Sequence, residues 1–427
     1  MKNRGKRPSK LKIWLGALLG VSFGLRAVGL FNPYFGLSQD EALFLNHLSD
    51  KAVTICENEG DCFLPLSAWF FRLPHFLGTA GPQSIIYWGR LSTLIFSCLT
   101  LLIAYRLVRA EKEERKGLGE IFLLILAFTP QLVFLGRFFS PSGLGLPLFL
   151  AAFYLVWRRR NGGWLSILLI FSLIAGALFS SLYLFLPSLF LLLLAIFLIF
   201  QEKKKLPLRS FSFLLVFLTL LATFFLLRSN NFLVLKRTSG FFNDIGFINA
   251  INASRGIEQN FGYPLLGRIL FNKLYFFIFW LANFWGQYSL ARIFSLVESG
   301  GFSTLIANGP MLLVFAPFFV WGLLKSFNFL PPKKAFVWLG LLFLGGISSS
   351  LLASAFNQDA FVLALFPIAL YVALGIVQLG KKPFWWKVFL FFLGINLLIS
   401  YFKIFDDFRR SELLPNQKLY FSLMMSK

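Results

Sequence analysis

The chain has 427 residues, of which 57% are hydrophobic, including 57 Phe, and its mean hydropathy is +0.73. A soluble core cannot hide that much apolar surface, and repeated apolar runs of roughly 18–25 residues read as membrane-spanning helices. The formal charge of +23 would suit nucleic acid, but 24 of the 41 Lys and Arg fall in six short connections (MKNRGKRPSKLK, RLVRAEKEERKG, RRR, KKKLPLR, KSFNFLPPKK and KKPFWWK) while alternate connections lack them, which is positive-inside topology and speaks against a nucleic-acid partner.

The amino end carries a basic stretch and then an apolar run with no small-x-small cleavage site. It reads as a retained first span, 12–31. Gly16, Gly20 and Gly24 recur every fourth residue there and predict close approach of another helix. Arg26, costly in lipid, is expected to face a cavity, snorkel outward or pair with an acid.

A long outer loop, 32–83, follows and holds six of the 18 acids. Its opening, GLSQDEALFLNHL, places Ser38 three residues before Glu41, the spacing of a reciprocal helix cap. Capping accounts for Glu41 and leaves Asp40 open, either as a solvated first-turn acid or as a general base facing a membrane-embedded substrate. His47, seven residues on, shares that face as a solvated residue or a substrate contact. Cys56 and Cys62, in CENEGDC, are either a disulfide or two free thiols on an oxidising outer side, and Cys98 falls within the next span. Arg72 and Arg90 flank the outer end of that span and read as snorkelling side chains or as ligands for a phosphate.

Further spans are expected at 84–107, 119–136, 141–157, 163–180, 183–201, 210–228, 308–325, 335–354, 360–379 and 386–403, for about eleven in all. The fold class is therefore an all-α polytopic membrane protein, residues 1–427 forming one unit with a cytoplasmic amino terminus and two large external loops carrying interfacial helices. Between two of these spans, LGRFFSPSGLG (135–145) places Ser140 before Pro141, an N-cap and first-turn proline. The amides of that helix end, beside Arg137, form a candidate site for a lipid phosphate. The second external loop, 229–307, contains FNKLYFFIFWLANFWGQYSLARIF, read as an aromatic helix lying in the outer interface because a further span there would move Lys325, Lys333 and Lys334 outside. Arg255, Arg268, Tyr263 and Gln287 from this stretch, and Gln358 in the turn FNQDAF, are either substrate contacts or loop packing. No phosphate-binding glycine loop, nucleophile elbow or His-rich metal pattern occurs, so no metal ligand set is assigned; Asp40 and Glu41 could still reach a divalent cation through water or substrate oxygens.

The order of these features, an acidic pair directly after the first span, then PLSAWFFRLPHFLG…IIYWGRLSTLI, then FTPQLVFLGRFFSPSGLGLPLFLAAFYL, resembles the GT-C superfamily of glycosyltransferases that use dolichyl- or undecaprenyl-phosphate sugars, with the protein O-mannosyltransferase-like enzymes and the aminoarabinose transferases of lipid A as its nearest branches. The resemblance covers 12–200, and beyond that rests mostly on span order. It implies a membrane glycosyltransferase, in a bacterial inner or plasma membrane with its site on the outer face, that moves a monosaccharide from a polyprenyl-phosphate carrier to a hydroxyl of a protein, lipid or glycan. Asp40 would take the base role with Glu41 as its partner, and Arg137 would face the donor phosphate. The late Arg-Tyr pair usual in such chains is replaced by Gln358 and Asp359. Two other functions fit the same composition. A lipid-linked-sugar flippase would place ionisable groups near mid-bilayer, and a glycan polymerase or ligase would work through Arg255 or Arg268.

Overall fold

The computed structural model describes residues 10–27, 41, 44–45, 64–76, 78, 82–109, 117–158, 164–201, 248–249, 251–253, 275–294, 310–330, 332–352, 361–379 and 387–398. Every regular element among them is helical. In chain order these are α1 (Lys10–Ala27), α2 (Pro65–Phe71), α3 (Leu73–Phe76), α4 (Pro82–Arg109), α5 (Leu118–Ala127), α6 (Pro130–Leu135), α7 (Pro141–Arg158), α8 (Trp164–Leu178), α9 (Phe185–Gln201), α10 (Tyr275–Gln287), α11 (Leu290–Phe294), α12 (Ala316–Phe329), α13 (Pro332–Leu352), α14 (Leu365–Leu379) and α15 (Lys387–Leu398). The expected span 210–228, along with Asp40, His47, Cys56, Cys62, Arg255, Tyr263, Arg268 and Gln358, lies outside the described residues.

Proline sets many of the boundaries. Five helices (α2, α4, α6, α7 and α13) open on a proline, whose missing N–H falls among the unpaired donors of the first turn. The same chemistry divides the expected span 119–136. Pro130 cannot continue α5, so that helix stops at Ala127 and α6 starts afresh. The carbonyls released at the break find partners: Thr129 Oγ1 donates to Ile125 O at 2.8 Å, and Ala127 O accepts from Ser22 Oγ and from Arg26 Nη1, each at 2.8 Å.

Arg26 is fully buried, and its Nε donates to Ser97 Oγ of α4 at 2.9 Å. Its guanidinium therefore ties α1 to α4 and to the carboxyl end of α5, where a cation suits the helix dipole. Ser22 and Arg26 stand two residues from Gly20 and Gly24, about 200° around the helix. Turning the polar pair inward turns the glycines outward, beside exposed Val21 and Phe23. The expected close packing along Gly16, Gly20 and Gly24 is thus corrected: among the described residues a Cβ on any of them would meet nothing within 4 Å.

Close approach occurs elsewhere, between α12 and α14. A Cβ on Gly322 would collide with the Tyr371 carbonyl, and one on Gly375 with the Phe318 carbonyl. The aromatic stretch read as an interfacial helix forms α10, which lies along α13 and keeps Phe277, Ile278 and Trp285 exposed. Asn283 Nδ2 donates to Ser350 O at 3.3 Å, Ser349 Oγ to Gln287 Oε1 at 3.0 Å and Tyr288 Oη to Leu342 O at 2.7 Å. Those polar bonds and the stacked Phe284 and Phe343 rings, 5.9 Å apart, hold an aromatic helix against a neighbour of mostly apolar surface.

The outward faces are apolar. On α4, Leu91, Ile95, Leu99 and Leu102 form an exposed stripe at helical spacing, and Phe190, Leu193, Trp321, Leu324, Phe391 and Leu398 do the same on α9, α12 and α15. By length and composition, Ser84–Arg109 alone among the described helices is long and apolar enough to cross a membrane. The others that are apolar are shorter, such as Phe185–Ile196 and Val362–Gln378.

Candidate active site

At the end of the bundle where α4 begins, the chain buries an ion pair. Glu41 has no exposed surface, and Arg90, in the third turn of α4, is 3% exposed. Arg90 Nε donates to Glu41 Oε1 at 2.8 Å and Nη2 to Oε2 at 2.7 Å, the two-pronged fit of a planar guanidinium to a carboxylate. The Phe139 amide adds a third donor to Oε1 at 3.3 Å.

Aromatic rings surround the pair. Phe44, one helical turn after Glu41, meets Phe139 edge-on with centroids 5.5 Å apart and Phe71 at 6.1 Å, while Phe71 and Phe139 lie 5.0 Å apart. Gly89 is required here because a Cβ would run into the Phe139 ring. Such a buried enclosure strengthens the attraction between the charges and raises the cost of breaking it.

The turn between α6 and α7 supplies the remaining groups. Arg137 is buried, and its Cζ lies 5.7 Å from the Phe138 ring centroid; Arg90 Cζ lies 5.2 Å from the same ring. Ser140 caps α7 as the Ser-Pro pair predicts, its Oγ accepting from the Gly143 amide at 3.1 Å. Arg72, at the carboxyl end of α2, is buried and directly follows Phe71 of the aromatic enclosure. Buried hydroxyls fix α2 beside α7 and α8: Ser67 Oγ donates to Ser180 O at 2.6 Å, and Ser142 and Ser181 are bonded at 3.0 Å.

The structure therefore gathers Glu41, Arg90, Arg137 and Ser140 at one site, with Arg72 joined through Phe71. It corrects the snorkelling reading of Arg72 and Arg90, both of which are buried, as is Arg137. Glu41, read from spacing as a cap for Ser38, has Arg90 and the Phe139 amide as long-range partners, 49 and 98 residues away. The residues missed by sequence reasoning are Phe44, Phe71, Phe138, Phe139 and Gly89. In so Phe-rich a chain no local pattern separates an enclosing ring from a lipid-facing one.

Both Glu41 oxygens accept from the Arg90 guanidinium, so a cation bound there would share that carboxylate with a fixed positive charge. Among the described residues no group of three His, Cys, Asp or Glu could hold a metal ion. What the arrangement can do is hold a carboxylate rigidly beside position 40 and present guanidinium and helix-end amides to an anion at the same end of the bundle.

No protein-family model matches the chain, and no curated protein matches it. Among solved structures it is similar to ArnT from Cupriavidus metallidurans in the apo state, at 13% identity and a TM-score of 0.36 over 87% of this chain and 77% of that one. It is also similar to the archaeal oligosaccharyltransferase AglB from Archaeoglobus fulgidus, solved in complex with an inhibitory peptide and a dolichol-phosphate, at 14% identity and a TM-score of 0.45 over 96% of this chain and 55% of that one. The chain thus spans about half the length of AglB. Likenesses this weak say nothing of donor or acceptor.

Proposed function

We propose that the protein is an integral-membrane glycosyltransferase of the GT-C type, which takes a monosaccharide from a polyprenyl-phosphate carrier and attaches it to a hydroxyl of a protein, lipid or glycan. The observation that carries this reading is the buried Glu41–Arg90 pair, flanked by Arg137 and Arg72, at one end of a bundle whose outward faces are apolar. Arg90 and Arg109 stand 19 residues apart in α4, about 28 Å along its axis, close to the thickness of a bilayer's hydrocarbon core. On this reading the ion pair lies near one water boundary and the basic end of α4 near the other.

Asp40 acts as general base. It removes the proton of the acceptor hydroxyl as the oxygen attacks the anomeric carbon, and the bond to the carrier phosphate breaks in the same displacement. The leaving phosphate is a weak base and needs no proton, only charge stabilisation. Arg137, Arg72 and the amides at the start of α7 supply that. Glu41 acts through its neighbour as a positioning residue: held by Arg90 and the Phe139 amide, it fixes the backbone from which Asp40 projects. A single displacement inverts the anomeric centre. Arg255, Arg268, His47 and Gln358 are proposed as further substrate contacts.

The experiment is to reconstitute the purified protein with a labelled polyprenyl-phosphate sugar and a host extract as acceptor pool. Label moving to an acceptor is the expected result. Label crossing the bilayer while still on its carrier would show a transporter and reject the enzyme.

A further inference from the structure

Three helices finish, far from Glu41, on the same pairing of an aromatic residue with a basic one four positions later. In α4, Arg109 Cζ lies 5.6 Å from the Tyr105 ring centroid and Nη1 donates to Tyr105 Oη at 3.0 Å. In α7, Arg158 Cζ lies 5.7 Å from the Tyr154 ring and Nη1 again donates to the phenol oxygen. In α12, Lys325 Nζ lies 5.4 Å from the Trp321 ring, while the indole N–H donates to Gln378 Oε1 of α14 at 2.6 Å. Helical side chains lean toward the amino end, so a basic residue at the fourth following position folds back over the ring.

All three pairs share one end of the molecule. α4 and α7 both start at the Glu41 site. α12 follows Pro310, whose carbonyl accepts from the Gln131 amide of α6 on that same side. Arg109 lies about 28 Å from Arg90 along α4, and Arg158 about 26 Å from Pro141 along α7. Both distances approach one hydrocarbon thickness of about 30 Å. Arg109, Arg158 and Trp321 are exposed. The sequence adds further positive charge after two of the pairs, with Arg159 and Arg160 after Arg158 and Lys333 and Lys334 after Lys325, while the basic residues that follow Arg109 are balanced by Glu111, Glu113 and Glu114.

We infer that these three pairs form a binding surface for anionic phospholipid headgroups in the leaflet opposite the candidate active site, an inference that rests on the membrane reading above. The ring face holds each cation at headgroup depth and limits its motion, so less freedom is lost when a phosphate binds. The N–H groups that point away from the ring then meet the phosphate oxygens. Tyr and Trp at the water boundary and a chain charge of +23 complement a negative leaflet surface.

The full chain is tested in phosphatidylcholine vesicles carrying brominated phosphatidylglycerol, with tryptophan quenching giving the relative affinity for the two lipids. The expected result is a preference for phosphatidylglycerol of about fivefold or more, the effect of one basic residue near a charged surface. The triple variant Arg109→Gln, Arg158→Gln, Lys325→Gln loses that preference. Tyr105→Leu with Tyr154→Leu, which keeps every charge, lowers it. No preference in the natural protein, or the same preference in both variants, would overturn the inference. So would its removal by inorganic phosphate at matched ionic strength, which would mark a site for the free anion. Failure of the natural protein to enter pure phosphatidylcholine vesicles is seen before any quencher is added, and would overturn the membrane reading itself.

Discussion

Replacing Arg90 by Met removes both charge-assisted bonds to Glu41 and leaves a carboxylate with no exposed surface beside Phe44, Phe71 and Phe139. Methionine fills much of the arginine stem's volume, so the loss is chiefly electrostatic. Stranding one member of a buried pair costs about 3–5 kcal/mol, whereas an exposed pair is worth about 0–1 kcal/mol. With the Arg90 and Glu41 side chains 4% and 0% exposed, the larger figure applies. Replacing both residues, as Arg90→Met with Glu41→Leu, removes the stranded charge and should recover most of that loss. Reversible unfolding in mixed detergent micelles reads the stabilities, and a double-mutant cycle gives the coupling directly. Transfer activity should stay low in both variants, because neither holds the segment that carries Asp40. A cost below about 1 kcal/mol for Arg90→Met, or no recovery in the double variant, would refute the reasoning.

Three smaller effects follow from the same packing. Arg26→Leu leaves Ala127 O and Ser97 Oγ without their guanidinium donor and should destabilise the protein by about 2–4 kcal/mol in the same unfolding assay. Gly322→Ala drives a methyl group into the Tyr371 carbonyl and should cost about 1–3 kcal/mol, whereas Gly20→Ala, facing open space among the described residues, should stay within about 0.5 kcal/mol. Ser140→Ala removes the cap on the Gly143 amide, for about 0.5–2 kcal/mol of stability and a weaker donor site at the start of α7, read as a raised KM for the lipid-linked sugar.

Local chemistry made part of the fold legible in advance. Ser140 before Pro141 gave both the start of α7 and its cap. The same rule, applied to Pro130, would have divided the span 119–136; hydropathy alone ran the two helices together because every residue around the break is buried. Gly16, Gly20 and Gly24 found no partner among the described residues: a small-residue stripe looks alike whether it meets a helix or open space, and the burial of Ser22 and Arg26 turned that stripe outward. At the site, Glu41, Arg90 and Arg137 were legible as residues of interest because charges in so apolar a chain are few. Their partners were not, since the Glu41–Arg90 bond spans 49 residues and the Phe44–Phe71–Phe139 enclosure draws on three separate segments.

The central claim is that Asp40, beside a rigidly held Glu41, drives sugar transfer. The most direct measurement compares the natural protein with Asp40→Asn in vesicles containing a labelled polyprenyl-phosphate sugar and the acceptor pool, with donor binding measured in parallel. The account predicts donor binding by both proteins and label on an acceptor with the natural protein alone. Equal transfer by a well-folded Asp40→Asn protein would contradict it.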